Sequence, residues 1–230
     1  MIGIIGAMDI EIEGYLKLMT EKSQTLAGPF IFYTGKLHSQ KVVIVKCGIG
    51  KVCASSCTSV LIDRFKPSSV INTGVAGGTL KKLGMKRGDI VIATDTVHHD
   101  VNVMNFGYED GQLPDQPRFF KCDESISQAL RTICEDKLNV NVFSGRIASA
   151  DRFVCKNEDS EDIIKRFAPA AIDMESASIG QVCTMFNVPY AIIRSISDSA
   201  DDDANDSYEE FALKAAKNAI TLASEYIKSV

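Results

Sequence analysis

Acidic side chains follow directly on two apolar segments of the sequence. The first segment leads into Asp173, Met174 and Glu175, and the second leads into Arg194 and Asp198. A carboxylate at the end of a buried strand is costly to desolvate unless it binds something polar. An internal ion pair between Arg194 and Asp198 is the simpler interpretation of the second group. Two acidic strand ends in one sheet nevertheless favour a binding or catalytic site.

Two further features could contribute to such a site. The first apolar segment ends at Gly6, and Glu11 follows in the first turn of an expected helix. Carboxylates are common there because they complement the helix dipole, so Glu11 is a candidate by position only. The glycine-rich residues 73–78 would let the backbone approach a ligand closely, although a tight turn is their more common role. Neither the dinucleotide fingerprint Gly-x-Gly-x-x-Gly nor the phosphate loop Gly-x4-Gly-Lys-Ser/Thr occurs.

The elements that must position these residues can be inferred from the apolar periodicity. Continuous apolar segments predict strands at residues 2–6, 30–37, 41–47, 69–73, 89–96, 140–148, 170–173 and 190–196. Helical spacing predicts helices at residues 10–19, 51–65, 124–137, 159–167, 175–186 and 207–227. Ser207 and Glu210 predict a capping box at the start of the last helix. Residues 97–119, which include His98 and His99, are expected to form a long irregular segment.

Strands that alternate with helices along the whole chain indicate an α/β fold. We expect a largely parallel central sheet with helices on both faces, and functional residues beyond the carboxyl ends of its strands. No linker or repeat divides the sequence, which predicts a single domain over residues 1–230.

Composition excludes several classes of protein. The 230 residues carry 25 basic and 30 acidic side chains, a net charge of -5, which argues against a nucleic-acid partner. No apolar stretch is long enough to span a membrane, and the N-terminus does not resemble a signal peptide, so we expect a cytoplasmic protein. The 7 cysteines are scattered, and we expect them to be reduced. Cys53 and Cys57 lie one helical turn apart, but no histidine is near them in sequence, so no metal site is expected.

Seven short motifs follow one another along the chain. They are Ile2-Gly3-Ile4-Ile5-Gly6-Ala7-Met8 with Glu11, Cys47-Gly48-Ile49-Gly50-Lys51, Asn72-Thr73-Gly74-x-Ala76-Gly77-Gly78, Phe106-Gly107-Tyr108-Glu109, Gly111-Gln112-Leu113-Pro114, Met174-Glu175 and Arg194-Ser195-Ile196-Ser197-Asp198. Together they resemble the motifs of 5'-methylthioadenosine/S-adenosylhomocysteine nucleosidases over essentially the whole chain. The resemblance implies a single-domain, three-layer α/β fold with a mixed central sheet, like that of nucleoside phosphorylases.

The resemblance implies hydrolysis of the N-glycosidic bond between adenine and a 5'-thio-substituted ribose, extending to 5'-deoxyadenosine, without metal or organic cofactor. Adenine leaves well only when it is protonated, and water must attack a cation-like ribose. By resemblance Asp198, oriented by Ser197, protonates N7, which requires a raised pKa. Glu11 activates the water, with Arg194 in the same polar cluster. Glu175 accepts hydrogen bonds from the ribose hydroxyls.

The family pattern also implies the remaining contacts. Phe153 stacks on adenine, and the backbone of Val154 reads the purine edge. Further substrate contacts are implied for Met8, Ile49, Ala76, Gly77, Asp173, Met174 and Tyr208. Phe106, Tyr108 and Pro114 would close the pocket of a neighbouring subunit, which implies a homodimer.

Four residues differ from the family pattern. Val75 stands where serine is common, Asn102 where aspartate is expected, Asp173 where glutamate is usual, and Tyr208 where phenylalanine is usual. None of them is the implied acid, base or ribose-binding carboxylate. The differences therefore bear on substrate preference more than on the type of reaction.

Three alternative functions can be compared with hydrolysis of these nucleosides. A phosphorylase needs cations near the strand-end loops, but no Lys or Arg occurs before Glu13, and Asn72 stands where phosphorylases tend to have arginine. A non-catalytic nucleoside-binding protein would be expected to lose Glu11 or Asp198, and both are present. A sister hydrolase acting on another purine nucleoside, such as futalosine, remains an open alternative.

Overall fold

The computed structural model describes residues 1–79, 83–198 and 204–230, with the side chains of residues 204–210 outside that description. Within these residues the strands are β1 (Ile2–Gly6), β2 (Thr20–Ala27), β3 (Phe30–Leu37), β4 (Gln40–Lys46), β5 (Ser69–Gly78), β6 (Ile90–His98), β7 (Phe120–Lys121), β8 (Val142–Ser149), β9 (Ala171–Asp173) and β10 (Tyr190–Asp198). The α-helices are α1 (Asp9–Leu18), α2 (Lys51–Phe65), α3 (Glu124–Lys137), α4 (Asn157–Phe167), α5 (Ser176–Met185) and α6 (Ala204–Ser229).

All of these strands belong to one mixed sheet. Its order is β10-β6-β8-β9-β5-β1-β4-β3-β2, and β7 pairs with β6. The strand β10 also pairs with β5, so that β5, β10, β6, β8 and β9 close into a ring. The pairs of β1 with β4 and β5, and of β10 with β5, are parallel, whereas β10 with β6 and β5 with β9 are antiparallel. The expected mixed sheet is confirmed.

Helices cover both faces of this sheet. One apolar cluster joins Leu61 of α2 and Ile179 of α5 to the sheet residues Ile5 and Val70. A second cluster, on the opposite face, includes Tyr15 of α1, Leu130 of α3 and Leu222 of α6. β1 is buried along its whole length, as is typical of a strand covered on both sides. The three-layer α/β architecture is therefore confirmed.

The structure differs from the sequence-based expectation in four elements. β2 was not predicted because its residues are mostly exposed and polar, and it pairs only with β3 at the edge of the sheet. The short strand β7 was not predicted either. The strand predicted at residues 69–73 continues through the glycine-rich residues 73–78, for which a tight turn was the more common of the two interpretations. Helix α6 begins at Ala204, before the predicted start at residue 207, and the side chains of Ser207 and Glu210 in the predicted capping box lie outside the described residues.

The two histidines lie at the start of the segment that was predicted to be irregular. β6 extends to His98, and both His98 and His99 are buried. The His98 ring contacts the Gln181 side chain at 3.0 Å and packs edge-on against Phe120. Burial lowers the pKa of His98 to about 4, because the charged imidazolium is disfavoured away from water. His98 is thus a neutral core residue at pH 7.

Candidate active site

A cavity of about 570 Å³ opens beyond the carboxyl ends of β1, β5 and β10. These three strands are parallel, so their ends meet at one edge of the sheet. The lining residues are Ala7, Met8, Glu11, Ile49, Val75, Ala76, Gly77, Phe153, Ile172, Asp173, Met174, Glu175, Ser197 and Asp198. A recess of about 30 Å³ beside it shares several of these residues and adds Arg152 and Val154. The structure therefore brings together most of the residues that the sequence analysis proposed.

The carboxylate of Glu11 is held by three backbone N–H groups. Oε2 accepts from Ala7 N at 2.6 Å and Met8 N at 3.0 Å, and Oε1 accepts from Val75 N at 3.0 Å. Burial raises the pKa of Glu11 above its ordinary value, while the nearby Arg194 charge and these N–H groups oppose the rise. The side chain is fixed between the end of β1 and the middle of β5, where it faces the cavity.

Gly74 makes this close approach of Glu11 to β5 possible. A Cβ at residue 74 would lie 2.4 Å from Glu11 Oε1 and 3.0 Å from Arg194 Nη1. Any side chain there would displace the carboxylate, the guanidinium or both. This is the reason for a glycine in the middle of a buried strand.

Asp198 ends β10 and is buried against the same cavity. The hydroxyl of Ser197 donates to Asp198 Oδ2 at 2.7 Å. This hydrogen bond fixes the position of one carboxyl oxygen, so Ser197 is placed to orient the Asp198 side chain.

Arg194 lies behind the cavity wall instead of lining the cavity. Its Nε donates to Asp173 Oδ2 at 2.8 Å, and its Nη2 donates to Asn72 Oδ1 at 2.6 Å. Asp173 also accepts a hydrogen bond from Ser149 Oγ at 2.5 Å. The ion pair of Arg194 is therefore with Asp173, 2.7 Å away, and not with Asp198 as the simpler interpretation of the sequence proposed. Asp173 borders the cavity, but its oxygens are occupied by protein groups.

Glu175 faces the cavity from the start of α5. Its Oε1 accepts from Gly50 N at 2.8 Å. Burial and the neighbouring Asp173 charge raise the pKa of Glu175 above its ordinary value. Besides Asp173, whose oxygens are occupied by protein groups, the carboxylates of Glu11, Glu175 and Asp198 thus line one cavity from different elements.

Apolar side chains form the mouth of the cavity. Ile49 is 57% exposed and Phe153 is 42% exposed, although both line it. Val154 is buried in the adjoining recess. Large apolar groups left exposed at a cavity mouth are typical of a ligand-binding surface.

The predicted neighbouring-subunit residues lie away from the cavity of their own chain. Phe106 is 80% exposed at the end of a short 3-10 helix, Pro114 is exposed and Tyr108 is half-buried. An ion pair of Arg166 with Asp110, at 2.7 Å, fastens this segment to α4. The segment is irregular as expected and is shaped by specific contacts. The side chain of Tyr208 lies outside the described residues.

Sequence reasoning did not propose Ser149 or a structural role for Asn72. Asn72 bridges β1 and Arg194, since its Nδ2 donates to Ile5 O at 2.9 Å. A polar residue inside a buried apolar strand is the signal that could have identified it.

Within the described residues, no group of three His, Cys, Asp or Glu side chains is arranged to hold a metal ion. A second cavity, of about 640 Å³, contains Lys86, Arg87 and Lys214 but none of the proposed site residues.

The chain matches known proteins over its whole length. The profile of the phosphorylase superfamily matches residues 1–228. A 5'-methylthioadenosine/S-adenosylhomocysteine nucleosidase of an Exiguobacterium species is 43% identical over 228 residues, covering 99% of this chain and 97% of the relative. The chain belongs to the 5'-methylthioadenosine/S-adenosylhomocysteine nucleosidase family.

Solved structures of nucleosidases agree with this membership. The Neisseria meningitidis nucleosidase, in complex with methylthio-immucillin-A, superposes with a TM-score of 0.96 at 40% identity and covers 100% of this chain and 99% of its own. The futalosine hydrolase of Helicobacter pylori superposes with a TM-score of 0.95 at 32% identity, covering 100% and 97%. The nucleosidase fold is therefore shared by hydrolases of different nucleosides.

In the described part of the chain, no helix is long and apolar enough to cross a membrane.

Proposed function

We propose that this protein hydrolyses the N-glycosidic bond of 5'-methylthioadenosine and S-adenosylhomocysteine, and of 5'-deoxyadenosine, to release adenine and the 5'-substituted ribose. The observation that carries the proposal is the convergence of Glu11, Glu175 and Asp198 on one cavity with an apolar mouth. Such a cavity supplies an acid, a base and a ribose ligand, and its apolar mouth suits a thioether.

Asp198 is the general acid in this proposal. Its carboxyl protonates N7 of adenine, and Ser197 directs it by donating to Oδ2. Protonation converts adenine from a poor anionic leaving group into a neutral one, so the bond to the ribose breaks more readily.

Glu11 is the base that orients and deprotonates the attacking water. All three of its N–H donors belong to the backbone, so the carboxylate keeps its direction while the water is consumed. Arg194 pairs with Asp173 behind the cavity wall, and its charge opposes the rise in the pKa of Glu11. Val75 contributes its N–H to Glu11, a contact that does not need the serine hydroxyl common in the family pattern.

Glu175 binds the ribose hydroxyls, and its negative charge also favours the cationic sugar of the transition state. Met8, Ile49 and Met174 cover the sugar and the 5'-substituent. Phe153 stacks on the adenine ring.

The adenine lies between Phe153 and β5 in this proposal. The backbone of Val154 contacts the purine edge, and Ala76 and Gly77 form the opposite wall. Tyr208 is assigned to the 5'-substituent pocket by the family pattern alone.

A homodimer is part of the proposal. Phe106 leaves a large aromatic side chain 80% exposed, and with Tyr108 and Pro114 it would close the cavity of a second copy. We place the dimer in the cytoplasm, which suits its 7 unpaired cysteines.

The first experiment follows adenine release from 5'-methylthioadenosine, with and without phosphate, and identifies the sugar by mass. Phosphate-independent release of methylthioribose is expected, because no Lys or Arg is among the described residues lining the cavity of about 570 Å³. Release only with phosphate would instead identify a phosphorylase. Faster turnover of futalosine than of any adenine nucleoside would favour the sister hydrolase, which the Helicobacter pylori relative makes the second candidate.

A Gly74→Ala variant should lower kcat/KM for adenine release at least about tenfold, because the new Cβ displaces Glu11. The matched control is Gly28→Ala, where nothing lies within 4 Å of the added Cβ. Gly28 has a φ of 61°, so the control should lose about 1 kcal/mol of stability and keep its kcat/KM. Steady-state kinetics and thermal unfolding measure both variants. Wild-type kinetics for Gly74→Ala would show that the position of Glu11 is not critical.

A further inference from the structure

Helix α2 begins in an electrostatically unfavourable way. Its first residue is Lys51, its first turn contains no acidic residue, and its N-cap, Gly50, has no side chain to cap it. The N-terminus of a helix carries a partial positive charge, which a lysine at that position opposes. The start of α2 therefore needs an acidic partner from elsewhere in the chain.

Asp151 supplies this partner from the loop after β8. Its Oδ1 accepts from Lys51 N at 2.6 Å across 100 residues of sequence. Gly50 leaves space for it, because a Cβ at residue 50 would lie 2.8 Å from the same oxygen. The Lys51 ammonium turns away and pairs with Asp100 at 2.7 Å.

The backbone N–H of Gly50, the residue before Lys51, binds the carboxylate of Glu175, the proposed ribose ligand. Gly50 N donates to Glu175 Oε1 at 2.8 Å. Consecutive N–H groups thus bind two carboxylates, Asp151 outside the cavity and Glu175 inside it. The direction of one N–H group relative to the other depends only on the φ and ψ angles of Gly50. The φ angle of Gly50 is 95°. Glycine does not restrict these angles by itself, so contacts of the Gly50–Lys51 peptide must fix them. Its carbonyl accepts from Ala54 N at 3.0 Å inside α2, and its N–H side is held by Asp151.

We propose that Asp151 is a positioning residue that directs Glu175 toward the ribose by fixing the Gly50–Lys51 turn. The inference rests on the proposed function for its catalytic readout, but the link from Asp151 through Gly50 to Glu175 does not depend on the identity of the substrate. Water could replace Asp151 as a hydrogen-bond acceptor, but a water molecule would not be covalently anchored to the loop after β8.

Asp151→Ala is expected to lower kcat/KM for 5'-methylthioadenosine about tenfold, because a turn that is no longer fixed leaves Glu175 less well oriented toward the ribose. Asp151→Asn should restore it to within about twofold, because its amide oxygen still accepts from Lys51 N. The affinity for free adenine, which has no ribose, should stay unchanged. Asp100→Asn is the control, since it breaks the pair with the same lysine and leaves the backbone contact intact.

A double-mutant cycle separates positioning from general stabilisation. In a Glu175→Gln background, Asp151→Ala should cause little further loss, because the group it positions is already impaired. The same tenfold loss in both backgrounds, no rescue by Asp151→Asn, or an equal loss of adenine affinity would each overturn the inference.

Amide hydrogen exchange of Gly50 measures the same link without substrate. Asp151→Ala should speed exchange at Gly50 about tenfold, whereas Asp151→Asn should not. If the wild-type protein releases no adenine, the proposed function fails, and this exchange experiment still decides the inference. Unchanged exchange in Asp151→Ala would overturn it.

Discussion

An Asp198→Asn variant is expected to release adenine at least about a thousandfold more slowly than the wild-type protein while remaining folded. A carboxamide has nearly the shape of the carboxyl group but cannot supply the proton that adenine needs to leave, and general acids contribute about 10²- to 10⁴-fold. Ser197 can still donate to the amide oxygen, so the local geometry should be kept. Single-turnover adenine release and thermal unfolding measure the two properties.

The matched control is Asp63→Asn, an exposed aspartate on α2 far from the cavity lining. It should leave both the rate and the unfolding temperature unchanged. Near-normal turnover of Asp198→Asn would eliminate Asp198 as the general acid. The search for a proton donor would then have to extend to other groups in the same cavity.

A Glu11→Gln variant should also lose hydrolysis by at least about a hundredfold, yet still bind a transition-state analogue such as methylthio-immucillin-A. The amide is a much weaker base, and its NH2 group would meet backbone N–H donors that now face a carboxylate. It also removes a negative charge beside Arg194. Kinetics with 5'-methylthioadenosine and titration with the analogue separate catalysis from binding. A variant that changed only KM would make Glu11 a binding residue.

The pH profile provides a second test of Glu11. Burial raises the pKa of this carboxyl above 4.5, so it takes up a proton at a higher pH than an exposed glutamate. A base stops working when it is protonated. The rate should therefore fall as the pH decreases through this raised pKa, and the acid limb of kcat/KM should lie above pH 4.5. A rate that stayed level to pH 4.5 would contradict this assignment.

The sequence was sufficient to place the principal acids at strand ends. Asp198 and Glu175 could be predicted as candidate site residues because charged residues directly after buried apolar segments are unusual. The partner of Arg194 could not be predicted in this way. It is Asp173, on β9, and its proximity depends on how β9 and β10 are placed around the ring of strands. Pairings between distant strands are not encoded in local periodicity.

Local periodicity likewise predicted some elements of the fold and missed others. Continuous apolar segments predicted β1 and β10 because both strands are buried on both faces. β2 gave no such signal, since an exposed edge strand needs no apolar pattern. Gly74 also shows the limit of local reasoning. A glycine at this position suggested a turn. In the structure the strand is continuous, and the absence of a side chain at Gly74 leaves room for the Glu11 carboxylate.

The closed ring of strands ties catalytic competence to the completion of folding. Its seam joins β5 and β10, where Ile71 lies opposite Ala191 and Val75 opposite Ser195. Contacts between residues so far apart in sequence form slowly, because a long loop must close before they can be made. The seam carries Asp198 on one strand and the Val75 N–H that holds Glu11 on the other. A partly assembled intermediate that lacks this seam would therefore not hold Asp198 and Glu11, the proposed acid and base, on opposite sides of one cavity.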